Sequence, residues 1–363
     1  MDKNYRRNFW RAFARNPVRQ AARLAIFNAR SLRPSRLAGE RALRAAIDAG
    51  RDIVPTPACL RPPPHHYRGH SGPWIEDSFS RHWVQRRARS AVAYVPVFWT
   101  DLYLHTQSQR FTPGQFDRFQ AAIRDLENRQ LAEERCFFTV LEYDHPIWDW
   151  HDFPRNTAVF SAGGWGDIPI PLLKGSPPFS NPAKDVFLSF VGRTDGASDV
   201  GGVRSRMRNE LKDEALFTSG PGWRKVMGRS TFSLCPRGLG PTSFRLYEAL
   251  SVGSIPVYVW NEVQWLPYRE QLDWSEFSLS LHVSELGRLR ELKADYPPAR
   301  IARMQARIAE LYDEYFTLDG ACRQIVREVE HLSDRSRFGA LMARRPYPPY
   351  TRAARDVPAF LLR

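Results

Sequence analysis

Between Ser230 and Trp260 the chain reads STFSLCPRGLGPTSFRLYEALSVGSIPVYVW, and its polar residues are of types that hold an anion. Arg237 lies in a loop that also carries Gly238 and Gly240. Thr242 or Ser243 can cap the helix that follows, and Arg245 and Glu248, three apart, share one face of its first turns. A helix N-terminus presents unpaired N–H groups and a partial positive charge, so a glycine-bearing loop that feeds one suits an anionic group. Upstream, Arg204, Arg206 and Arg208 open another helix and offer either further phosphate contacts or a solvated face. Tight turns use the same glycines with no ligand, and Arg245 with Glu248 alone is a surface pair contributing about 0.2–0.5 kcal/mol.

The elements that must position these residues follow from the hydrophobic pattern. Thr231 to Cys235 and Ile255 to Trp260 read as short buried strands on either side of the capped helix, with Gly253 where that helix stops. Earlier in the chain, Ala91 to Trp99, Phe137 to Leu141, Ala158 to Ser161 and Val186 to Val191 read as further buried strands. Thr112-Pro113-Gly114-Gln115 is a helix start with cap, proline and capping-box glutamine in order. Asp273 to Leu281 reads as a strand region, and Ile301 to Tyr315 and Ile325 to Leu332 as amphipathic helices. Strands alternating with helices, with polar residues just past the strand ends, predict open, mostly parallel α/β sheets.

A chain of 363 residues is too long for one ordinary core, so two domains are expected. The spacing of the elements places a basic extension at 1–50, an N-terminal domain at 51–180 and a C-terminal domain at 185–335. A basic tail fills 336–363, and the proline-rich stretch 171–184 serves as the interdomain linker. The formal charge of +14 points to an anionic partner, although only six of the 53 basic residues are lysine, a bias that coding composition also produces. Within 1–45, Trp10, Phe13, Ile26 and Phe27 interleave with arginines, and Pro17 interrupts any single helix. That pattern suits peripheral contact with an anionic membrane or a solvated, partly ordered extension. No apolar run is long enough to span a bilayer and no apolar h-region opens the chain, so a cytoplasmic location is expected. Cys59, Cys136, Cys235 and Cys322 are far apart, without metal-ligand spacing, and read as free thiols.

The run CPRGLGPTSFRLYEALSVGSIPVYV resembles the signature of the exostosin-type glycosyltransferases. Cys235-Pro236-Arg237-Gly238, Ser243, Arg245, Glu248-Ala249-Leu250, Gly253 and Ile255-Pro256-Val257 each match an element of it. Leu266-Pro267-Tyr268 and Leu272 to Ser278 resemble segments downstream, while Gly72 to Glu76, Tyr94 to Val97 and Arg204-Ser205 are weaker matches. The resemblance implies a GT-B fold, two Rossmann-like domains facing a central cleft, with a nucleotide-sugar on the C-terminal side. It implies inverting transfer from a donor, usually UDP-linked, to a glycan or glycoconjugate.

In that scheme Arg237, Gly238, Thr242, Ser243, Arg245 and Arg204 neutralise the departing diphosphate, and Glu248 holds the ribose hydroxyls. Inversion asks for a base from the N-terminal domain. The candidates are Glu76, Asp77, Asp101, His105, Asp144, His145 and Asp167, with Asp101 and Asp167 best placed past strand ends. No Asp-x-Asp triplet occurs, so metal-independent transfer with no cofactor is expected. The alternative is a non-catalytic basic protein, a pseudoenzyme, binding anionic glycan or nucleic acid. No nucleic-acid module signature is present, so nucleic acid is not expected as a partner.

Overall fold

The structure is a computed structural model and describes residues 2–67, 70–71, 74–86, 89–143, 153–196 and 199–345. The chain divides into two units. The first takes Met1–Ser161, Gly166–Ile168 and Ile325–Arg363, and the second takes Ala162–Trp165 and Pro169–Gln324.

The first unit opens with three helices, α1 (Asp2–Arg15), α2 (Pro17–Ser31) and α3 (Pro34–Asp48). Pro17 and Pro34 interrupt the helical run as expected, but each does so by starting the next helix, with Asn16 accepting from the Arg19 N–H as cap of α2. The helices are integral to the unit rather than an extension of it. Tyr5, Phe9, Phe27 and Leu43 are buried, the Tyr5 hydroxyl donates to the Phe111 carbonyl at 2.8 Å, and its ring stacks on Phe116 at 4.1 Å. Trp10 and Ile26, two of the four apolar residues read as interleaved with the arginines, remain exposed.

A short hairpin, β1 (His66–Tyr67) and β2 (His70–Ser71), precedes α4 (Ile75–Gln85). Next come β3 (Ala93–Tyr94), α5 (Trp99–Gln107), α6 (Pro113–Ala132), β4 (Phe137–Leu141), β5 (Thr157–Ser161) and β6 (Ile168–Pro169). The sheet order is β3-β4-β5-β6, with β3, β4 and β5 parallel. The capping box at Thr112 and Gln115 forms as its residues predict. The long strand expected over Ala91–Trp99 does not. Pro96 has no N–H for the ladder, the Val97 N–H turns back to the Val95 carbonyl at 3.0 Å, and the chain enters α5 at once. Asp101 therefore sits in the first turn of a helix, not beyond a strand.

The second unit holds a wholly parallel sheet of β7 (Val186–Val191), β8 (Leu216–Thr218), β9 (Ser230–Pro236), β10 (Ile255–Trp260) and β11 (Leu279–His282), in the order β11-β10-β9-β7-β8. Its helices are α7 (Val203–Leu211), α8 (Trp223–Arg229), α9 (Phe244–Leu250), α10 (Leu292–Asp295) and α11 (Pro298–Tyr315). The start of the expected strand at Asp273 is instead a 3-10 turn, Trp274–Glu276, capped by the Asp273 carboxylate accepting from Ser275 N–H at 2.9 Å.

The stretch 171–184 is no free linker. Leu172 and Leu173 are buried, Ser176 Oγ accepts from Leu318 N–H at 2.7 Å, and the Tyr312 hydroxyl donates to the Pro177 carbonyl at 2.8 Å. A proline-rich strand cannot donate, but its carbonyls accept, and this one is bound along its own unit. The chain then runs through α12 (Leu318–His331) and ends its described course in α13 (Arg335–Arg344). Residues from 325 onward count with the first unit, so the expected C-terminal domain at 185–335 ends early. Of the basic tail, 346–363 lies outside the described residues. All four cysteines are free.

Candidate anion site in the second unit

The strand order of the second unit reverses between β7 and β9: the chain moves out from β7 to β8, then returns to β9 on the other side. In open parallel sheets, that reversal leaves a crevice at the carboxyl ends of the two strands, where ligands are received. Arg204 and Arg245 both reach it. Arg204 is set by α7, whose first N–H groups are held by Asp199: its carboxylate accepts from Arg204 N–H at 2.6 Å and Ser205 N–H at 3.2 Å. The guanidinium then donates to the Arg193 carbonyl, just past β7, at 3.2 Å, and to the Arg237 carbonyl, just past β9, at 3.3 Å. Arg245, on α9, donates from Nε to the Val191 carbonyl at the end of β7, at 2.6 Å. Burial, and then the charge of Arg245, pulls Arg204 down to about 10, and burial lowers Arg245 as well.

The counter-charge is Glu248, 8% exposed, paired to Arg245 and reached by Lys174 at 3.5 Å. Ser243 is the cap of α9, accepting from Arg245 N–H at 3.2 Å. Sequence spacing indicated Arg245, Glu248 and Ser243 together, and the structure brings Arg204 to the same edge. It also adds groups that spacing missed. Lys174 lies 74 residues from Glu248 and its ammonium sits 4.2 Å from the Phe244 ring centroid, while the Trp223 ring faces Arg245. No local pattern marks either, since both arrive by tertiary packing. Asp199, five residues before Arg204, was the one readable signal, as an acidic residue ahead of a helix start.

The glycine loop is built differently from its reading as a phosphate cradle. The Arg237 guanidinium, 3% exposed, donates to Asn261 Oδ1 at 2.8 Å, to Glu262 Oε2 at 2.9 Å and to the Leu239 carbonyl at 3.2 Å. It ties its own loop to the end of β10. The Gly238 N–H is spent on the Thr242 carbonyl at 2.7 Å, and Thr242 itself is buried. A Cβ on Gly240 would lie 2.2 Å from the Gly163 carbonyl oxygen, so that glycine is required by chain packing.

Of the base candidates, Asp167 is locked. Its carboxylate pairs with Arg345 and accepts from Val159 N–H at 2.8 Å, with both partners almost wholly buried. Asp101 accepts from His65 N–H at 2.7 Å and Trp74 Nε1 at 3.0 Å; burial, reinforced by Glu76, pushes its carboxyl well up. Glu76, 1% exposed, accepts from the Thr100 hydroxyl at 2.6 Å and Glu142 N–H at 3.1 Å, and burial pushes it up to about 8. His105 donates from Nε2 to the Pro63 carbonyl at 2.6 Å and is held well below its usual range by burial. Asp77 pairs with Arg81 on the exposed side of α4. Asp144 and His145 lie outside the described residues. The structure thus gathers Glu76, Asp101 and Glu142 as buried ties between the starts of α4 and α5 and the end of β4, and separates Asp167 from them.

Residues 166–295 match the family model "Exostosin GT47 domain", so the resemblance read from the signature run is borne out. A rice (Oryza sativa subsp. japonica) protein named "Probable glucuronosyltransferase" is 29% identical over 250 residues, 62% of this chain and 55% of that one. An Arabidopsis thaliana protein named "Probable glycosyltransferase" is 34% identical over 210 residues, 53% of this chain and 41% of its own. Exostosin-1 of Drosophila melanogaster is 28% identical over 235 residues, covering 49% and 30% respectively. The chain thus spans about half, or less, of the length of the curated relatives it matches. A crystal structure of the pneumococcal O-GlcNAc transferase GtfA in complex with UDP and GlcNAc aligns with TM-score 0.32 at 8% identity, over 60% of each chain. No helix among the described residues is long and apolar enough to cross a membrane.

Proposed function

We propose that this protein is an inverting glycosyltransferase that moves a sugar from a nucleotide-sugar, UDP-linked in the first instance, to a glycan or glycoconjugate. The observation that carries the reading is the pair Arg204 and Arg245 at the β7–β9 reversal, inside the stretch that matches the exostosin domain. Three cations, Arg204, Arg245 and Lys174, stand there against the two carboxylates of Glu248 and Asp199, which leaves net positive charge at the edge where a parallel sheet receives ligands. A diphosphate supplies the missing negative charge, and charge-assisted bonds stabilise it further as it departs. Glu248, already oriented by Arg245 and Lys174, holds the ribose hydroxyls in this scheme. Arg237 acts through its loop, not on the phosphates. Transfer proceeds without a divalent metal.

Titration calorimetry with UDP, GDP and dTDP, with and without EDTA, tests this. UDP should bind and keep its affinity in EDTA. Arg245→Ala should weaken it about 10–100-fold, the loss of one or two bonds to a charged group. Absence of nucleotide binding by the wild type refutes the reading and leaves the non-catalytic alternative, and loss of binding in EDTA refutes metal independence.

A further inference from the structure

Helix α2 docks on the turn that leads from α5 to α6. Its Gln20 donates to the Gln109 carbonyl at 2.5 Å, and its Phe27 ring meets the rings of His105 at 4.8 Å and Phe111 at 5.3 Å. Residues 20, 23, 27 and 30 fall on one face of a helix. The contacts at 20 and 27 therefore aim Arg23 and Arg30 at the same turn, which carries Arg110 between Gln109 and Phe111. Three guanidinium groups thus meet in one corner of the first unit. None of them makes an ion pair or a side-chain hydrogen bond among the described residues. Arg30 Nη1 and Arg110 Nε are buried without a partner.

Burying a charge without compensation is costly, and native structures rarely do it. Here the nearby groups worsen the imbalance. Burial, and then Arg23 and Arg30, pull Arg110 down, while Arg110 and Arg30 add to burial and His65 in holding His105 neutral. Arg23 also lines a groove of about 1060 Å³ between α1, α2 and α5, where Arg7, Arg11 and Arg15 stand with Tyr103 and Tyr143. Arg23 thus joins the corner to that groove.

We propose that Arg23, Arg30 and Arg110 form a binding site for a phosphate group, entered from the groove between α1, α2 and α5. Guanidinium forks match the oxygens of a tetrahedral phosphate, and one such group would satisfy the buried Nη1 and Nε atoms together. The phosphate belongs either to a small dissolved ester or to a lipid headgroup, for which the exposed Val18, Ile26 and Leu32 of the same helical layer would supply apolar contacts.

Thermal unfolding of the full chain in sodium phosphate against sodium chloride at matched ionic strength tests the site. At phosphate about tenfold above its Kd, the wild-type midpoint should rise by about 2–4 °C. The double variant Arg30→Gln/Arg110→Gln should lose that response. In chloride its midpoint should equal or exceed the wild-type value, because the repulsion is gone. Arg23→Gln, at the mouth of the corner, should weaken the response if the double variant does not fold. Flotation with phosphatidylglycerol vesicles, and phosphatidylcholine vesicles as control, identifies the source. Binding to the anionic vesicles that the variants lose assigns a headgroup. A phosphate response without vesicle binding assigns a small ester. A wild type that answers to neither phosphate nor vesicles overturns the proposal. So do responses that the variants keep unchanged, since those arise elsewhere, as at Arg204 and Arg245.

Discussion

Replacing Arg345 with methionine should be among the most damaging single changes available in the first unit. All five N–H directions of its guanidinium are spent: Nε on Asp167 Oδ1 at 2.7 Å, Nη1 on the carbonyls of Phe153 at 3.2 Å and Pro154 at 3.3 Å, and Nη2 on the Thr157 carbonyl at 2.6 Å and Asp167 Oδ2. Removing it strands a buried carboxylate and three carbonyls next to β5. Breaking a buried pair from one side costs about 3–5 kcal/mol, because the remaining charge has nothing to offset its lost hydration. For a unit of this size that corresponds to a fall in midpoint on the order of 10 °C. Asp167→Asn keeps an acceptor for Val159 N–H but leaves the buried Arg345 charge with carbonyl partners only, so it should cost about 3 kcal/mol. The double variant should then be more stable than Arg345→Met alone, because no lone carboxylate remains. The assay is a double-mutant cycle by urea unfolding, with hydrogen exchange at Val159 as the local probe. Costs that simply add across the cycle would refute the pairing. The same variants bear on catalysis. If Asp167 were the base, Asp167→Asn would lower kcat by about 10²–10⁴ in a fully folded sample. The structural role predicts near-normal kcat well below the unfolding temperature.

Glu76 sets the second expectation. Its folded value of about 8 stands above the ordinary 4.5, so the folded state keeps a proton that the unfolded chain has lost between those values. Stability should therefore fall as pH rises through about 5 to 8 and level off above, by an amount on the order of 4 kcal/mol. Glu76→Gln mimics the protonated form and should flatten that slope; an unchanged slope in chemical denaturation across this range would locate the titration elsewhere. Gly240→Ala forces a Cβ into the Gly163 carbonyl and should destabilise the second unit by about 1–3 kcal/mol, read as a lower midpoint without nucleotide. A midpoint equal to wild type would show that the loop yields freely.

The parts of the fold that were legible in the sequence are those written in local chemistry. The capping box at Thr112, the stop at Gly253 with φ of 60°, and the strand–helix–strand run from Ser230 to Trp260 all stand as their residues dictate. Arg245, Glu248 and Ser243 were readable for the same reason, since three residues on one turn settle their own geometry. What escaped the reading depends on contacts across tens to hundreds of positions. Arg237 and Gly240 looked like a phosphate cradle until Glu262 and Gly163 claimed them. Asp167 looked like a free carboxylate past a strand because its partner stands 178 residues away. The first 50 residues looked like an appendage because Tyr5 and Phe9 reveal themselves as core only beside Phe111 and Phe116.

The tie between Asp167 and Arg345 also bears on the order in which the protein is made. At about 5–20 residues per second, a ribosome needs roughly 10–35 s to travel the 178 positions between the two. Within that interval the whole sheet of the second unit, β7 to β11, is made, while the first still lacks the cation that neutralises its buried carboxylate. The half of the chain synthesised first is thus the half that finishes folding last. A chain halted before residue 345 releases a first unit with an unanswered charge beside its central strands, a form that quality-control proteases can recognise.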